Sequence, residues 1–180
     1  MKTKYNEEEA KHIFFTSDTH FNHNKVIDFC NRPFKSIEEH DAQLIKNWNE
    51  TVGKQDTIFH LGDFIFGGSA KLYEIISQLN GNIVLIRGNH DDKNISRQME
   101  NAFSYVTYQM RLLIEGKNVY LNHFPFLNFG HDDPAMYKDS YSIQLFGHMH
   151  SRPNATGYDA DRVNLLYPTP YDVGVDNNNF

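Results

Sequence analysis

A chain of 180 residues, 39% hydrophobic and 22% charged, has enough apolar material for one folded domain with a sizeable core, which excludes a disordered chain. No apolar run approaches membrane-spanning length and the opening MKTKYNEEEA has no apolar signal core, so no membrane association is expected. The net charge of −6 speaks against a protein built to grip long nucleic acid by neutralising phosphates, and the lone cysteine, Cys30, excludes an intrachain disulfide and fits a cytoplasmic location.

The elements follow in chain order. HIFFTSD, residues 12–18, reads as a short buried strand. A helix is expected from Asn24 to the Asn31-Arg32-Pro33 breaker, with Asn22, Asn24 and Lys25 as turn and helix-start residues. Ser36 and Glu39 form a capping box, and Ile37, Leu44, Ile45, Trp48 and Val52 follow at helical spacing until Gly53 closes the helix. DTIFHLGD, 56–63, is the second strand. Ser69 is placed as the cap of a helix carrying Leu72, Ile75, Ile76 and Leu79, which Asn80-Gly81 stops. NIVLIRGNHD, 82–91, is the third strand with its exit loop. The period then changes: Val106, Tyr108, Met110, Leu112 and Ile114 alternate as in one half-buried strand. Glu115-Gly116-Lys117-Asn118 reads as a turn, so VYLNHFPF should return antiparallel. IQLFGHMH, 143–150, is a further strand, and RVNLLY and YDVGVD supply one or two more. The fold class expected is α/β (α+β), a single domain over 1–180, with a parallel first half and antiparallel strands in a second packed sheet.

Polar groups cluster where these strands end. The exits carry Asp18-Thr19-His20, Gly62-Asp63, Gly88-Asn89-His90-Asp91, Asn122-His123 and Gly147-His148-Met149-His150. Ligand sites in open α/β sheets lie beyond the carboxyl ends of the strands, where loops distant in sequence converge. Glycine before the polar residue at three exits permits a sharp turn or a close approach. Asp, Asn and His are oxygen and nitrogen donors, a palette that suits Mn, Fe, Zn, Co or Ni and not a thiolate zinc site. On an extended backbone Asp18 and His20, and likewise His148 and His150, would project to one side. Any single motif alone reads more readily as a polar loop after a strand than as a metal site. Five in one order, each at a strand exit, make coincidence a poor account.

That ordered set, seen as SDTH, LGDF, RGNHD, LNHFP and FGHMH between residues 12 and 150, resembles the calcineurin-like metallophosphoesterases. The stretches SDTHFNHNKVIDFCNRPF and DVGVD are similar to the small single-domain members of bacteria and phage. The resemblance implies a two-sheet mixed β-sandwich flanked by helices, and two divalent metal ions, manganese first. It places one ion on Asp18, His20, Asp63 and His150, and the other on Asp63, Asn89, His123 and His148, with Asp63 bridging. One carboxylate between two dications offsets their repulsion, and the neutral imidazoles leave positive charge for a phosphate. The implied chemistry is in-line attack of a metal-bridging hydroxide on a phosphoester, with His90 assisting the leaving group.

Asp91 is expected to orient His90 or a neighbouring ligand, or else to cap its loop. His23, outside the general signature, is expected to reach substrate or to be a solvated loop residue. Arg32 and Arg152 are candidate phosphate contacts. Asp172 stands where comparable members often carry Asn, near the site or at a strand end. The segment 126–141, with His131, Asp132 and Asp133, reads as a lid, a specificity loop or a plain surface loop. The expected substrate is a small phosphoester, more in keeping with a diester. The alternatives are a phosphomonoesterase, a nucleotide or short-oligonucleotide hydrolase, and a silent metal-binding scaffold.

Overall fold

The structure is a computed structural model that describes residues 1–126, 142–150, 170–178 and 180. Its first sheet is β2 (Ile13–Thr16), β3 (Thr57–His60), β4 (Asn82–Ile86) and β5 (Tyr105–Thr107), paired in that order and all parallel. Helices α2 (Asn24–Phe29) and α3 (Ile37–Thr51) lie between β2 and β3, α4 (Ser69–Ile76) between β3 and β4, and the short α5 (Asp91–Asn94) and a 3₁₀ turn between β4 and β5. Strand order never reverses here. Crossovers of one hand that always step the same way put the helices on one face. The other face is left to a second sheet.

The burial pattern bears this out residue by residue. Ile58, Ile83 and Leu85 pack with Leu44 and Trp48 of α3 and Leu72 and Ile75 of α4, while their neighbours Phe59, Val84 and Ile86 pack with Leu112, Val119 and Leu121. A parallel sheet covered on both sides explains why IFH and IVLI read as unbroken apolar runs. Phe59 is fully buried between the sheets, stacked on Phe15 with ring centroids 5.5 Å apart. Truncating it to Ala is expected to cost about 3–5 kcal/mol in urea unfolding.

The second sheet runs β1 (Lys4–Tyr5), β6 (Gln109–Ile114), β7 (Lys117–Asn122), β8 (Ser142–Phe146), β9 (Pro170–Asp172). Four expectations need correction. The alternating stretch 106–114 is two strands in different sheets, with Tyr108 between them. The second sheet is mixed: only β6 with β7 is antiparallel. The hairpin turn is Glu115-Gly116 alone, both left-handed (φ 49° and 78°), as a tight primed turn requires, so Lys117 and Asn118 are already strand. Ser69 is the first residue of α4, and Gly68 occupies the cap position. RVNLLY, Arg152 and 127–141 lie outside the described residues.

Candidate metal centre

Because β2, β3 and β4 are parallel, their C-terminal ends open on one edge, and cross-links fasten the exits together. Asp18 N–H donates to the Gly62 carbonyl (3.0 Å) and His20 N–H to that of Asp63 (2.9 Å). Gly147 N–H donates to the His123 carbonyl (3.0 Å), joining the β7 and β8 exits. Val175 N–H donates to the Ser17 carbonyl (3.1 Å), tying the end of the chain to β2.

The backbone here is not the extended one the spacing suggested. Asp18, His20, Asp63, His148 and His150 all adopt left-handed φ, between 45° and 71°. That conformation costs of order 1 kcal/mol or more for a residue with a Cβ, and Asp and His tolerate it better than most. Such strain concentrates where geometry serves a site. Two glycines owe their identity to close approach. A Cβ on Gly88 would come within 2.3 Å of Asp63 Oδ1, and one on Gly147 within 2.6 Å of Asp18 Oδ2.

The expected ligands come together in two groups, Asp18, His20 and His150 in one and Asp63, His123 and His148 in the other, with the ligand atoms of each within 4.8 Å of one another. Asp63 Oδ2 joins the two: it lies 3.6 Å from His20 Nε2 and 3.5 Å from His123 Nε2. Asp63 Oδ1 is occupied separately, accepting the His90 N–H at 2.9 Å. Asn89 Oδ1 sits 3.1 Å from His123 Nε2.

These atoms fit cations. His20 Nε2 is buried with no hydrogen-bond partner, although Asp63 Oδ2 is close. His123 Nδ1–H donates to the Leu61 carbonyl (2.7 Å), which turns the bare Nε2 toward Asp63 Oδ2 and Asn89 Oδ1. Ring nitrogens and side-chain oxygens thus converge on one space, as they would around a cation. The set contains only nitrogen and oxygen, as harder divalent ions prefer. His150 Nδ1–H donates to Asp176 Oδ2 (2.7 Å), leaving Nε2 on the Asp18 side. An imidazole fixed through its second nitrogen is the usual arrangement of a metal-ligating histidine.

Electrostatics reflect the crowding. Burial, opposed by the histidines and the Ser17 hydroxyl, raises the Asp18 carboxyl to about 6. Burial and neighbouring cationic groups hold His20 well below its ordinary value, and burial lowers His148 too. Burial pulls His150 down, but its hydrogen bonds to Asp176 and Cys30 and the Asp18 charge prevail and raise it to about 11. A cation binding at its Nε2 must displace that proton.

Asp91 serves the loops and not the His90 ring. It is fully buried; Oδ2 accepts the N–H groups of Asp63 and Gly88 (2.8 Å each) and Oδ1 that of Phe64 (2.9 Å). Burial raises its pKa to about 6. His90 stands at the rim with its side chain 38% exposed and Nε2 3.9 Å from Asp63 Oδ2. His23 stacks on Phe66, with ring centroids 3.7 Å apart, and its Nδ1 lies 3.3 Å from His20 Nδ1. Burial lowers its pKa to about 4, so the ring is neutral at pH 7.

Arg32 is placed differently from expectation. All five of its N–H groups are spent inside the protein, on both Asp176 oxygens, the carbonyls of Asp18 and Thr19, and His40 Nε2. Its side chain is fully buried, so it offers no donor to a substrate phosphate. Asp172 Oδ1 accepts the Gly174 N–H (2.8 Å) in the turn after β9. Sequence reasoning missed Asp176 and the Cys30 contact with His150; nothing local in DVGVD or DFC points to either.

His60 lies behind the site, fully buried, and donates from Nε2 to Thr19 Oγ1 (3.0 Å), whose hydroxyl donates to the Phe64 carbonyl; its Nδ1 has no partner. Burial lowers its pKa to about 3. The native state therefore refuses a proton that the unfolded chain accepts below its ordinary 6.5. Stability is fully kept above that value and falls with acidification toward pH 3, by up to ~1.4 kcal/mol per pH unit. Urea unfolding of wild type and His60→Phe at pH 7, 6 and 5 should show a flatter slope in the variant.

Comparisons with known proteins give the family. The family model described as the calcineurin-like phosphoesterase superfamily domain matches residues 12–168. Gene 66 protein of Mycobacterium phage D29 is 33% identical, over 91% of this chain and 87% of its own length. An uncharacterized protein of Methanocaldococcus jannaschii is 51% identical, but over 44% of this chain, and the match spans just 46% of that protein. In the solved structures, an Aquifex aeolicus protein of unknown function shares the fold at TM-score 0.64 and 23% identity, covering 91% of this chain and 90% of its own. The chain belongs to the calcineurin-like phosphoesterase superfamily.

Proposed function

We propose that this protein is a dinuclear metal-dependent phosphodiesterase of the reducing cytoplasm, loaded with two divalent ions, manganese first, and acting on a small phosphoester. The observation that supports this best is Asp63 Oδ2, one carboxylate oxygen set between His20 Nε2 and His123 Nε2 at 3.6 and 3.5 Å. Asp18, His20, Asp63 and His150 would hold one ion; Asp63, Asn89, His123 and His148 the other. When bound, the ions supply Lewis acidity toward the phosphoryl oxygens and lower the pKa of a water at the site.

The remaining steps fall to the chain. Asp91 fixes the Asp63 and Gly88 backbones, which keeps the Asp63 carboxylate in place between His20 and His123. His90, half-exposed at the rim and tied by its own N–H to Asp63, protonates the departing alkoxide. With a cation on His20 Nε2, the His20 Nδ1–H would donate to His23 Nδ1, leaving His23 Nε2–H for the substrate. Metal-restored hydrolysis of bis-p-nitrophenyl phosphate over p-nitrophenyl phosphate tests the reading; preference for the monoester would keep the site and replace the substrate class.

A nucleotide or oligonucleotide end is the second reading. Phe124, 45% exposed, lies edge-on to His148 with centroids 4.7 Å apart. Such rings stack on bases without reading sequence. Faster turnover of dinucleotides than of bis-p-nitrophenyl phosphate, lost in Phe124→Ala, would favour it.

A further inference from the structure

The hydrogen-bond network behind the site is lopsided. Arg32 grips both Asp176 oxygens, at 2.9 Å from Nε and 2.6 Å from Nη2, and Asp176 Oδ2 accepts His150 Nδ1–H. The same guanidinium holds the carbonyls of Asp18 (2.7 Å) and Thr19 (3.0 Å). Its last N–H goes to His40 Nε2; His40 Nδ1–H then donates to Asp41, whose carboxylate accepts the Asn22 N–H. One chain of bonds, rooted in α3, therefore pins the 18–22 loop at three points and His150 at a fourth.

Every one of these attachments serves the group Asp18, His20 and His150. Among the described residues none reaches Asn89, His123 or His148. The outer partners also differ in kind. His123 donates to a neutral main-chain carbonyl, whereas His150 donates to an ionised carboxylate kept charged by Arg32. A charged acceptor makes the stronger hydrogen bond and the more basic imidazole.

We propose that Asp176, held by Arg32, is the positioning residue of one cation site alone, so that this site can be weakened selectively. This rests on the dinuclear reading above. In Asp176→Asn, and in Arg32→Lys, which keeps the charge but loses the fork, the site of Asp18, His20 and His150 should bind Mn²⁺ about 10- to 100-fold more weakly. The other site, which shares Asp63 but none of these bonds, should change far less. Calorimetric titration with Mn²⁺, with metal counted by mass spectrometry after buffer exchange, should give two ions for wild type and for the Cys30→Ala control, and one for either variant.

Equal weakening of both sites, or two ions retained in both variants, would overturn the inference. So would failure of both variants to fold by circular dichroism, since the pair would then determine the fold and not one site. Wild-type protein that binds fewer than two ions would instead bring down the dinuclear reading itself.

Discussion

Asp63→Asn is expected to lower metal-restored phosphodiester turnover by about three orders of magnitude, ~4 kcal/mol of transition-state stabilisation, while the fold survives. The reason lies in how the two oxygens divide their work. Oδ1 accepts the His90 N–H, a bond an amide oxygen keeps. Oδ2 faces His20 Nε2 and His123 Nε2, and an amide NH₂ there would donate to them. That satisfies the buried, unpartnered His20 nitrogen and removes the negative charge two cations share. Thermal unfolding without metal should therefore show Asp63→Asn as stable as wild type or more so, although it binds Mn²⁺ poorly. A variant that unfolds readily without metal would mean the carboxylate holds the fold.

His90→Ala should reduce kcat by about 10²- to 10³-fold, the range for a general acid, with two Mn²⁺ still bound. The Ala variant keeps the N–H that caps Asp63, and the lost ring stands at the rim and not among the buried ligands. The loss should grow with the basicity of the leaving group. p-Nitrophenolate departs without a proton, so its diesters should suffer least and alkyl diesters most. An equal loss across leaving groups would assign His90 to binding phosphate instead.

The sequence made the strand exits legible because each pairs a buried apolar run with an abrupt Asp, Asn or His, and parallel strands of one sheet must open on one edge. Eight residues placed there from the motifs, seven ligand candidates and His90, do converge. What stayed hidden depends on contacts far apart in the chain. Arg32 and Asp176 are separated by 144 positions, and an arginine near a phosphate site reads as a phosphate contact until its five donors are seen spent. The break at Tyr108 was hidden for another reason: two strands in different sheets continue one alternation, although Val106 packs on the helix side of the first sheet and Met110, Leu112 and Ile114 pack between the sheets. β1, two residues long, has no period to read. The left-handed backbone at Asp18, His20, His148 and His150 leaves no decisive mark in residue type, because Asp and His, which tolerate it, also stand in ordinary loops.

The most direct test is an anomalous-scattering map from crystals grown with Mn²⁺. The account predicts two peaks, one among Asp18, His20 and His150 and one among Asn89, His123 and His148, with Asp63 Oδ2 between them. A single peak, or one seated on Cys30, His150 and Asp176, a third cluster whose ligand atoms also lie within 4.8 Å, would contradict it.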